Sequence, residues 1–390
     1  MNPSFHIIDF VIVGIYAILL VGVGLWVSRT KKGHTKTAED YFLASKALPW
    51  WAIGSSLIAA NISAEQFIGM SGSGFAGGLA IASYEFMAAL TLIIVGKFFL
   101  PIFIKQGIYT IPEFVEKRFS TNLKTILAVF WIALFVFVNL TSVLFLGGKA
   151  IDTIVGVGDG SMIVPAIIAL AIFAAAYSLY GGLSAVAWTD VIQVALLVIG
   201  GIITTLIALH YVTPDGGILN GISHIADAAS DKFDMVLSRD NKEFNNLPGI
   251  YVLIGGLWVA NLYYWGFNQY IIQRTLAAKS LTEAQRGIAF AAFLKMLIPF
   301  IVVIPGIVAW VMYSEDLYGA RSAFEIAGST ALNNDNAYPW LISTFIPVGV
   351  KGLVLAALAA AIVSSLASML NSTSTIFTMD IYKPYINREA

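Results

Sequence analysis

The sequence contains no cysteine and only four histidines among its 390 residues. Without cysteine there is no disulfide framework and no thiolate to act as nucleophile or metal ligand. The histidines His6, His34, His210 and His224 lie near the ends of apolar stretches or in polar connections, so neither a zinc site nor a Ser-His-Asp triad is expected. The net charge of −1 leaves no basic surface for nucleic acid. These absences argue against an enzyme and against a nucleic-acid partner.

Charge of either sign is also scarce, because charged residues make up 12% of the chain and hydrophobic residues 58%. Soluble domains carry about twice that share of charge. Nine segments are about long enough, and apolar enough, to cross a bilayer as helices. They are 7–27, 50–72, 79–104, 123–149, 162–180, 185–211, 249–273, 287–313 and 349–379. The first contains Asp9 and lacks a small-residue cleavage site, so it is predicted to span the membrane rather than to be a removed signal peptide.

The orientation follows from lysine and arginine, which favour cytoplasmic connections. Alternate connections and the tail carry fourteen of them: Arg29, Lys31, Lys32, Lys36, Lys46, Lys105, Lys117, Arg118, Lys124, Arg274, Lys279, Arg286, Lys383 and Arg388. The opposite side carries six: Lys149, Lys232, Arg239, Lys242, Arg321 and Lys351. The N-terminus is therefore predicted outside, and the long connections 212–248 and 314–348 are predicted to form outer caps.

Polar side chains interrupt the second and ninth segments. The second carries Asn61, Ser63, Glu65 and Gln66, followed by a glycine-rich stretch at 69–74. A helix that breaks here frees backbone carbonyls to bind a cation, although small residues also allow close helix packing. In the ninth segment, Ser364, Ser368 and Asn371 share one face. Such serines often bond only to their own helix, but their hydroxyls are also ligands for a hard cation such as sodium.

The third, seventh and eighth segments add charged and aromatic groups. Glu85 in the third segment needs a partner or a ligand, and Lys295 in the eighth is the obvious ion-pair partner. In the seventh, a helical spacing places Asn261, Tyr264, Trp265 and Asn268 on one face. Amides with aromatic rings suit a small uncharged polar solute. An interfacial aromatic belt explains the rings but not Asn261 in register with them.

Four stretches together resemble the sodium:solute symporter family, and its sugar-transporting bacterial members in particular. They are Ala59 to Gly69; Tyr180-Gly181-Gly182-Leu183 with Trp188-Thr189-Asp190; Trp265 to Gln269 with Gln273-Arg274-Thr275; and Ala361 to Ser365. The likeness extends over essentially the whole chain.

The resemblance implies an all-α polytopic fold of the leucine-transporter type, with a 5+5 inverted repeat and one extra N-terminal helix. The divisions would be 1–48 for the extra helix and inner loop, 49–211 for the first repeat, 212–248 for an outer loop and 249–390 for a partial second repeat. Each repeat should open with a discontinuous helix. Only three helices of the second repeat are expected within the chain, so the C-terminal part is expected to be missing.

The resemblance also implies site residues. A sodium ion would be bound by the carbonyls of Ala59, Ile62 and Ala361 and the hydroxyls of Ser364 and Ser365. Implied sugar contacts are Asn61, Gln66, Glu85, Asn261 and Lys295. Tyr264 matches the family's inner gate, with Met70 and Trp265 near it, and Asp190 matches an acid near the ion exit path. Ala88 stands where galactose-transporting members have a serine.

The expected function is sodium-coupled import of a sugar such as galactose or glucose across the bacterial inner membrane. An anionic solute such as sialate, or an amino acid, is the alternative substrate that Lys295 permits and Glu85 argues against. A channel is less well supported, because no filter-like loop recurs in the sequence. An intramembrane hydrolase using Ser364 or Ser365 would need a base, and the single histidine within the nine segments, His210, stands at the end of the sixth. The oligomeric state is left open.

Overall fold

The computed structural model describes residues 6–29, 37–63, 65–155, 160–213, 215–326 and 328–388. Three of the lysines used for the orientation, Lys31, Lys32 and Lys36, lie outside these ranges, as does His34. The described part is almost wholly helical, with isolated bridges in place of strands. Helices satisfy every backbone polar group within one segment, which is what an apolar bilayer demands.

Fourteen helices are named here in chain order. They are α1 (Ile7–Val27), α2 (Trp50–Asn61), α3 (Glu65–Met70 and Ser71–Gly77), α4 (Ser83–Ile94, Val95–Phe99 and Leu100–Gln106), α5 (Ile111–Arg118), α6 (Thr121–Ile154), α7 (Ile163–Ala176), α8 (Gly181–Tyr211), α9 (Ile218–Ala228), α10 (Gly256–Leu262 and Tyr263–Phe267), α11 (Gln269–Leu276), α12 (Leu281–Ser314), α13 (Ala337–Phe345) and α14 (Val350–Ile386). Single turns at Ala38–Phe42, Ile250–Ile254 and Ala320–Phe324 connect them.

Within the described ranges, six continuous helical stretches are long and apolar enough to cross a membrane. They are Ile7–Val27, Glu65–Gln106, Thr121–Ile154, Gly181–Tyr211, Leu281–Ser314 and Val350–Ile386. The nine segments expected from the sequence divide differently, since 50–72 and 249–273 each contain a break and Ile163–Ala176 is shorter than a full span. The expected discontinuous helices are therefore confirmed, at Ile62 and at Asn268.

Two glycines turn the chain directly from one helix into the next, with no loop between the helices. Gly78, with φ of +75°, turns the chain between α3 and α4. A Cβ there would lie 2.2 Å from the carbonyl oxygen of Lys232, so only glycine fits. Gly182, with φ of +58°, makes a similar turn near the start of α8.

Helix α14 lies at the centre of the molecule and α1 at its edge. Of the most apolar stretch of α14, 83% is buried, against 17% for α1, whose outward face carries exposed Ile7, Ile15 and Ile18. Helix α8 packs along α14, and α2 packs on α12. Facing glycines bring α2 and α12 together, because a Cβ on Gly54 would lie 2.6 Å from the carbonyl oxygen of Gly287. Close packing through small residues thus describes α2 before its break.

Candidate ion and solute site

The first break lies between α2 and α3. Helix α2 ends at Asn61, and Ile62 is extended, with φ of −80° and ψ of 113°. Polar side chains fix the chain just after the break. The backbone N–H of Ser63 donates to Oε1 of Gln66 at 3.3 Å, and the hydroxyl of Ser63 accepts from the N–H of Glu65 at 3.1 Å. The polar residues of the second segment therefore replace helical hydrogen bonds at an interruption, as the sequence predicted.

Ser365 of α14 reaches this break. Its hydroxyl lies 3.1 Å from the carbonyl oxygen of Ala60 and 3.4 Å from that of Ile62, and the side chain is fully buried. One buried hydroxyl therefore meets two carbonyls at the end of a helix, and Ala59 and Ala361 are buried in the same two helices. Neutral oxygens released by an unwound helix are the ligands that transporters offer to sodium. No group of acidic, cysteine or histidine side chains suited to a divalent metal occurs in the described ranges.

A cavity of about 240 Å³ adjoins the break. Two predicted sugar contacts, Asn61 and Gln66, line it together with Tyr264 and Ser365. Asn61 donates from Nδ2 to the hydroxyl of Tyr264 at 3.0 Å, while its Oδ1 is buried without a hydrogen-bond partner among the described residues. A buried acceptor that lacks a partner is costly, so Asn61 retains an unused hydrogen-bonding group beside the cavity.

The other predicted sugar contacts lie apart from this cavity. Glu85 and Lys295 form a fully buried ion pair, and the ammonium of Lys295 lies 5.3 Å from the ring centre of Trp265. Asn261 donates to the carbonyl of Leu257 in its own helix at 3.1 Å. These three side chains are occupied by protein partners, and their roles in solute binding remain predictions. Met70 packs at the edge of the apolar core.

The expected single face of the seventh segment is wrong for Asn268. The spacing assumed one continuous helix, but α10 ends at Phe267 and Asn268 is extended, with φ of −79° and ψ of 122°. Its side chain accepts from the N–H of Tyr270 at 3.3 Å and so begins α11. Tyr264 remains at the cavity, where its hydroxyl also accepts from the hydroxyl of Tyr270 at 2.8 Å. Trp265 faces Lys295 instead.

A second polar cluster surrounds Asp190 of α8. Its carboxylate accepts from the hydroxyls of Ser364 and Ser56, each at 2.5 Å, and lies 3.6 Å from the guanidinium of Arg274. Arg274 also donates to Ser56 and to Ser368, and the residues of this cluster are essentially inaccessible to solvent. Ser364, a predicted sodium ligand, thus points to Asp190 here, while Ser365 points to the break.

Arg274 corrects the sequence interpretation, which counted it as a charge of an inner loop. It is buried because Asp190 and two serines satisfy it, and a buried charge requires such partners. Sequence reasoning also missed the cavity residues Asn139 and Ser142 of α6; the hydroxyl of Ser142 donates to Glu65 at 2.6 Å. The available signal was the polar stretch 139–142 inside an otherwise apolar segment.

A family model described as the sodium:solute symporter family matches residues 41–390. The chain belongs to this family. It is 65% identical over 386 residues to a sodium/glucose cotransporter of Vibrio parahaemolyticus, covering 98% of this chain and 70% of that protein. It is 33% identical over 400 residues both to sodium/glucose cotransporter 2 of Rattus norvegicus, of which it covers 58%, and to the human sodium/myo-inositol cotransporter, of which it covers 54%. In those two comparisons 98% and 96% of this chain are matched.

Among solved structures, the fold is similar to that of a sodium-coupled sialic acid symporter in a substrate-bound, outward-open state. The TM-score is 0.83 at 28% identity, over 98% of this chain and 76% of the other. This chain is therefore a multi-pass membrane protein with the expected leucine-transporter-type architecture. It spans 70% of its Vibrio relative and little more than half of the mammalian ones.

Proposed function

We propose that this chain forms the ion- and sugar-binding part of a sodium-coupled symporter that imports a sugar such as galactose or glucose by alternating access. The observation that carries the proposal is the hydroxyl of Ser365 against the carbonyls of the first break, beside a cavity lined by Asn61 and Gln66. Its relatives in Vibrio and rat are named sodium/glucose cotransporters. Sodium is a co-transported substrate in this proposal, and no chemical catalysis is involved.

Sodium binding would act through the break. An ion between α2 and α14 would be coordinated by carbonyl oxygens that Ser365 now contacts, among them that of Ile62. Ala59, Ala361, Ser364 and Ser365 are the other predicted ligands. Because Ile62 directly follows Asn61, an ion held by the Ile62 carbonyl orients the amide that faces the cavity. Sodium binding therefore prepares the solute site.

The driving force is sufficient for accumulation. One charge crossing 100 mV is worth about 2.3 kcal/mol, which corresponds to a solute gradient of about 50-fold. Release would follow when Tyr264 moves away from Asn61, with Asp190 near the path of the departing ion. The predicted orientation places the N-terminus outside a bacterial inner membrane.

An anionic solute such as sialate is the second candidate, since the solved structural relative is a sialic acid symporter. In this chain, however, the buried cation Lys295 is paired with Glu85. A carboxylate solute would need that pair to open, whereas a sugar needs only hydrogen-bonding groups such as those of Asn61 and Gln66.

The test is uptake of labelled galactose into proteoliposomes under an inward gradient of sodium or of potassium, using both this chain and the native-length protein, meaning the protein as its gene encodes it. Ser365→Ala removes the hydroxyl at the break and is expected to lower sodium-driven uptake about tenfold or more. Thr373→Val is the matched control, because among the described residues the hydroxyl of Thr373 bonds within α14, to the carbonyl of Met369 at 2.7 Å.

Sodium-independent uptake by the native-length protein would reject the symporter. Sodium-driven uptake of sialate in place of galactose would keep the mechanism and change the substrate.

A further inference from the structure

Helix α5 connects α4 to α6 on the side predicted to be inner, and its N-terminus is unusually well anchored. Thr110, which precedes it, is fully buried and uses its hydroxyl twice. The oxygen accepts from the N–H of Glu113 at 3.1 Å and donates to Oδ1 of Asp380 at 3.0 Å. Asp380 lies in the last turns of α14, fifteen residues beyond Ser365. The start of α5 is thus tied to the helix that carries the proposed sodium ligand.

The same turn is tied to the second break. Gln269 follows Asn268 directly and is fully buried. Its Oε1 accepts from the N–H of Ile111 at 2.9 Å, and its Nε2 donates to the carbonyl of Tyr109 at 3.0 Å. Both polar atoms of this one side-chain amide therefore hold the α5 N-terminus to the start of α11, directly after the second break. Residues 109–111 thus join α14, which carries the proposed sodium ligand, to the far side of the break that follows Tyr264.

The carboxylates around Lys124 allow it two ion-pair arrangements, one with Glu116 and one with Asp380. Lys124 of α6 binds Glu116 of α5 at 2.7 Å and lies 3.6 Å from Oδ1 of Asp380. The hydrogen bond with Lys124 holds the pKa of Glu116 below its ordinary value. The second oxygen of Asp380, Oδ2, is buried and finds no hydrogen-bond partner within the described ranges. A buried carboxylate with an unused oxygen is a cost to stability. A small shift of α14 towards α6 would let Lys124 satisfy it.

We propose that residues 109–118 form a coupling latch, in which Thr110 and Gln269 link α14 to the second break and Lys124 exchanges between Glu116 and Asp380 as α14 moves. This inference rests on the proposed sodium-coupled function and names the element that couples the two substrates. Allosteric coupling requires an element that has two discrete arrangements, each favoured or disfavoured by both sites. Lys124 is such an element, because it lies between the carboxylates of Glu116 and Asp380. Thr110 and Asp380 are positioning residues, because neither contacts the cavity.

The experiment measures labelled sodium and labelled sugar entering the same proteoliposomes of the native-length protein. Thr110→Val removes the bond to Asp380 and the cap of α5, whereas Asp380→Leu removes the bond and leaves the cap. Each is expected to raise sodium entry without sugar, and to lower sugar carried per sodium, by about tenfold. Equilibrium sugar binding is expected to stay within about twofold of native, because the cavity is untouched.

Conservative variants separate coupling from folding. Thr110→Ser keeps both hydrogen bonds and is expected to retain most of the native ratio, as is Thr373→Val. Asp380→Asn keeps an acceptor for Thr110 but removes the charge to which Lys124 exchanges, so it is expected to lower the ratio without loss of thermal stability. A native ratio in Thr110→Val and Asp380→Leu would overturn the latch. So would an equal fall of both fluxes together with lower thermal stability, since that pattern reports a merely structural role. Absence of sodium-driven uptake in the native protein would instead reject the proposed function on which the latch rests.

Discussion

The two helix breaks differ in which groups satisfy them. At the first break, a neighbouring helix supplies the hydroxyl of Ser365 to the carbonyls of Ala60 and Ile62. At the second, the segment caps itself, because the side chain of Asn268 accepts from the N–H of Tyr270 two residues further on. Oxygens held by one hydroxyl can be taken over by an ion, while a break capped by its own side chain keeps its hydrogen bonds when neighbours move. The first break is therefore suited to binding an ion, and the second is suited to bending of the chain.

Tyr264 connects the two breaks. Its hydroxyl accepts from Asn61, the last residue before the first break, and from Tyr270, just after the second. A change at either break therefore reaches the other through a single phenol. This makes Tyr264 the shortest link between the proposed ion site and the proposed gate.

The largest predicted effect concerns the ion pair beside Trp265, the residue that lies just before the second break. Lys295→Met leaves Glu85 as a buried charge without its partner, at a cost of about 3–5 kcal/mol. Thermal unfolding in detergent is expected to show this loss, and Glu85→Gln/Lys295→Met should recover most of the stability because no buried charge remains. Sugar uptake should not recover in the double variant if these groups contact the solute. Recovery of both would make the pair purely structural.

A smaller effect is expected where the breaks meet. Tyr264→Phe removes the acceptor shared by Asn61 and Tyr270, which costs about 1–3 kcal/mol and loosens the closed cavity. The expected result is a several-fold change in the KM for sugar, together with faster sodium entry when no sugar is present. Tyr263→Phe is the control, since Tyr263 stacks on Trp131 with ring centres 5.4 Å apart and lies on the same helix turn. Equal kinetics for the two variants would exclude Tyr264 as the link.

The smallest effect tests self-capping at the second break. Asn268→Ala removes the N-cap of α11 and should destabilise the protein by about 1 kcal/mol, while Asn268→Ser should restore most of it. The midpoint of thermal unfolding in detergent measures both. Sodium affinity is expected to remain native, because the first break does not use this side chain. A large loss of sodium affinity in Asn268→Ala would erase the distinction between the breaks.

Some of the site was predictable from residue type and position. Asn61, Gln66 and Ser365 are polar groups in apolar segments, so each had to find a partner or a ligand, and all three line one cavity. The pairing of Glu85 with Lys295 was also expected. The two charges stand inside the third and eighth segments, and few other charges inside apolar segments could serve as partners. Asn268 was misplaced because helical spacing fails beyond a break. Arg274 was misplaced because its partners lie 84 and 218 positions away in sequence, at Asp190 and Ser56.

The sequence by itself determined that this protein lies in a membrane, that its second apolar segment is interrupted and which of its oxygens are candidates to bind a cation, because the energetic cost of polar groups in an apolar medium acts on every residue separately. Only the tertiary structure decided which of those groups lie at the first break and which lie in the cluster around Asp190. Ser364 turns to Asp190 while Ser365 turns to the break, although the two are adjacent on one helix. That choice depends on which neighbouring helix brings an oxygen within 3 Å or so, a distance set by packing between segments far apart in the chain.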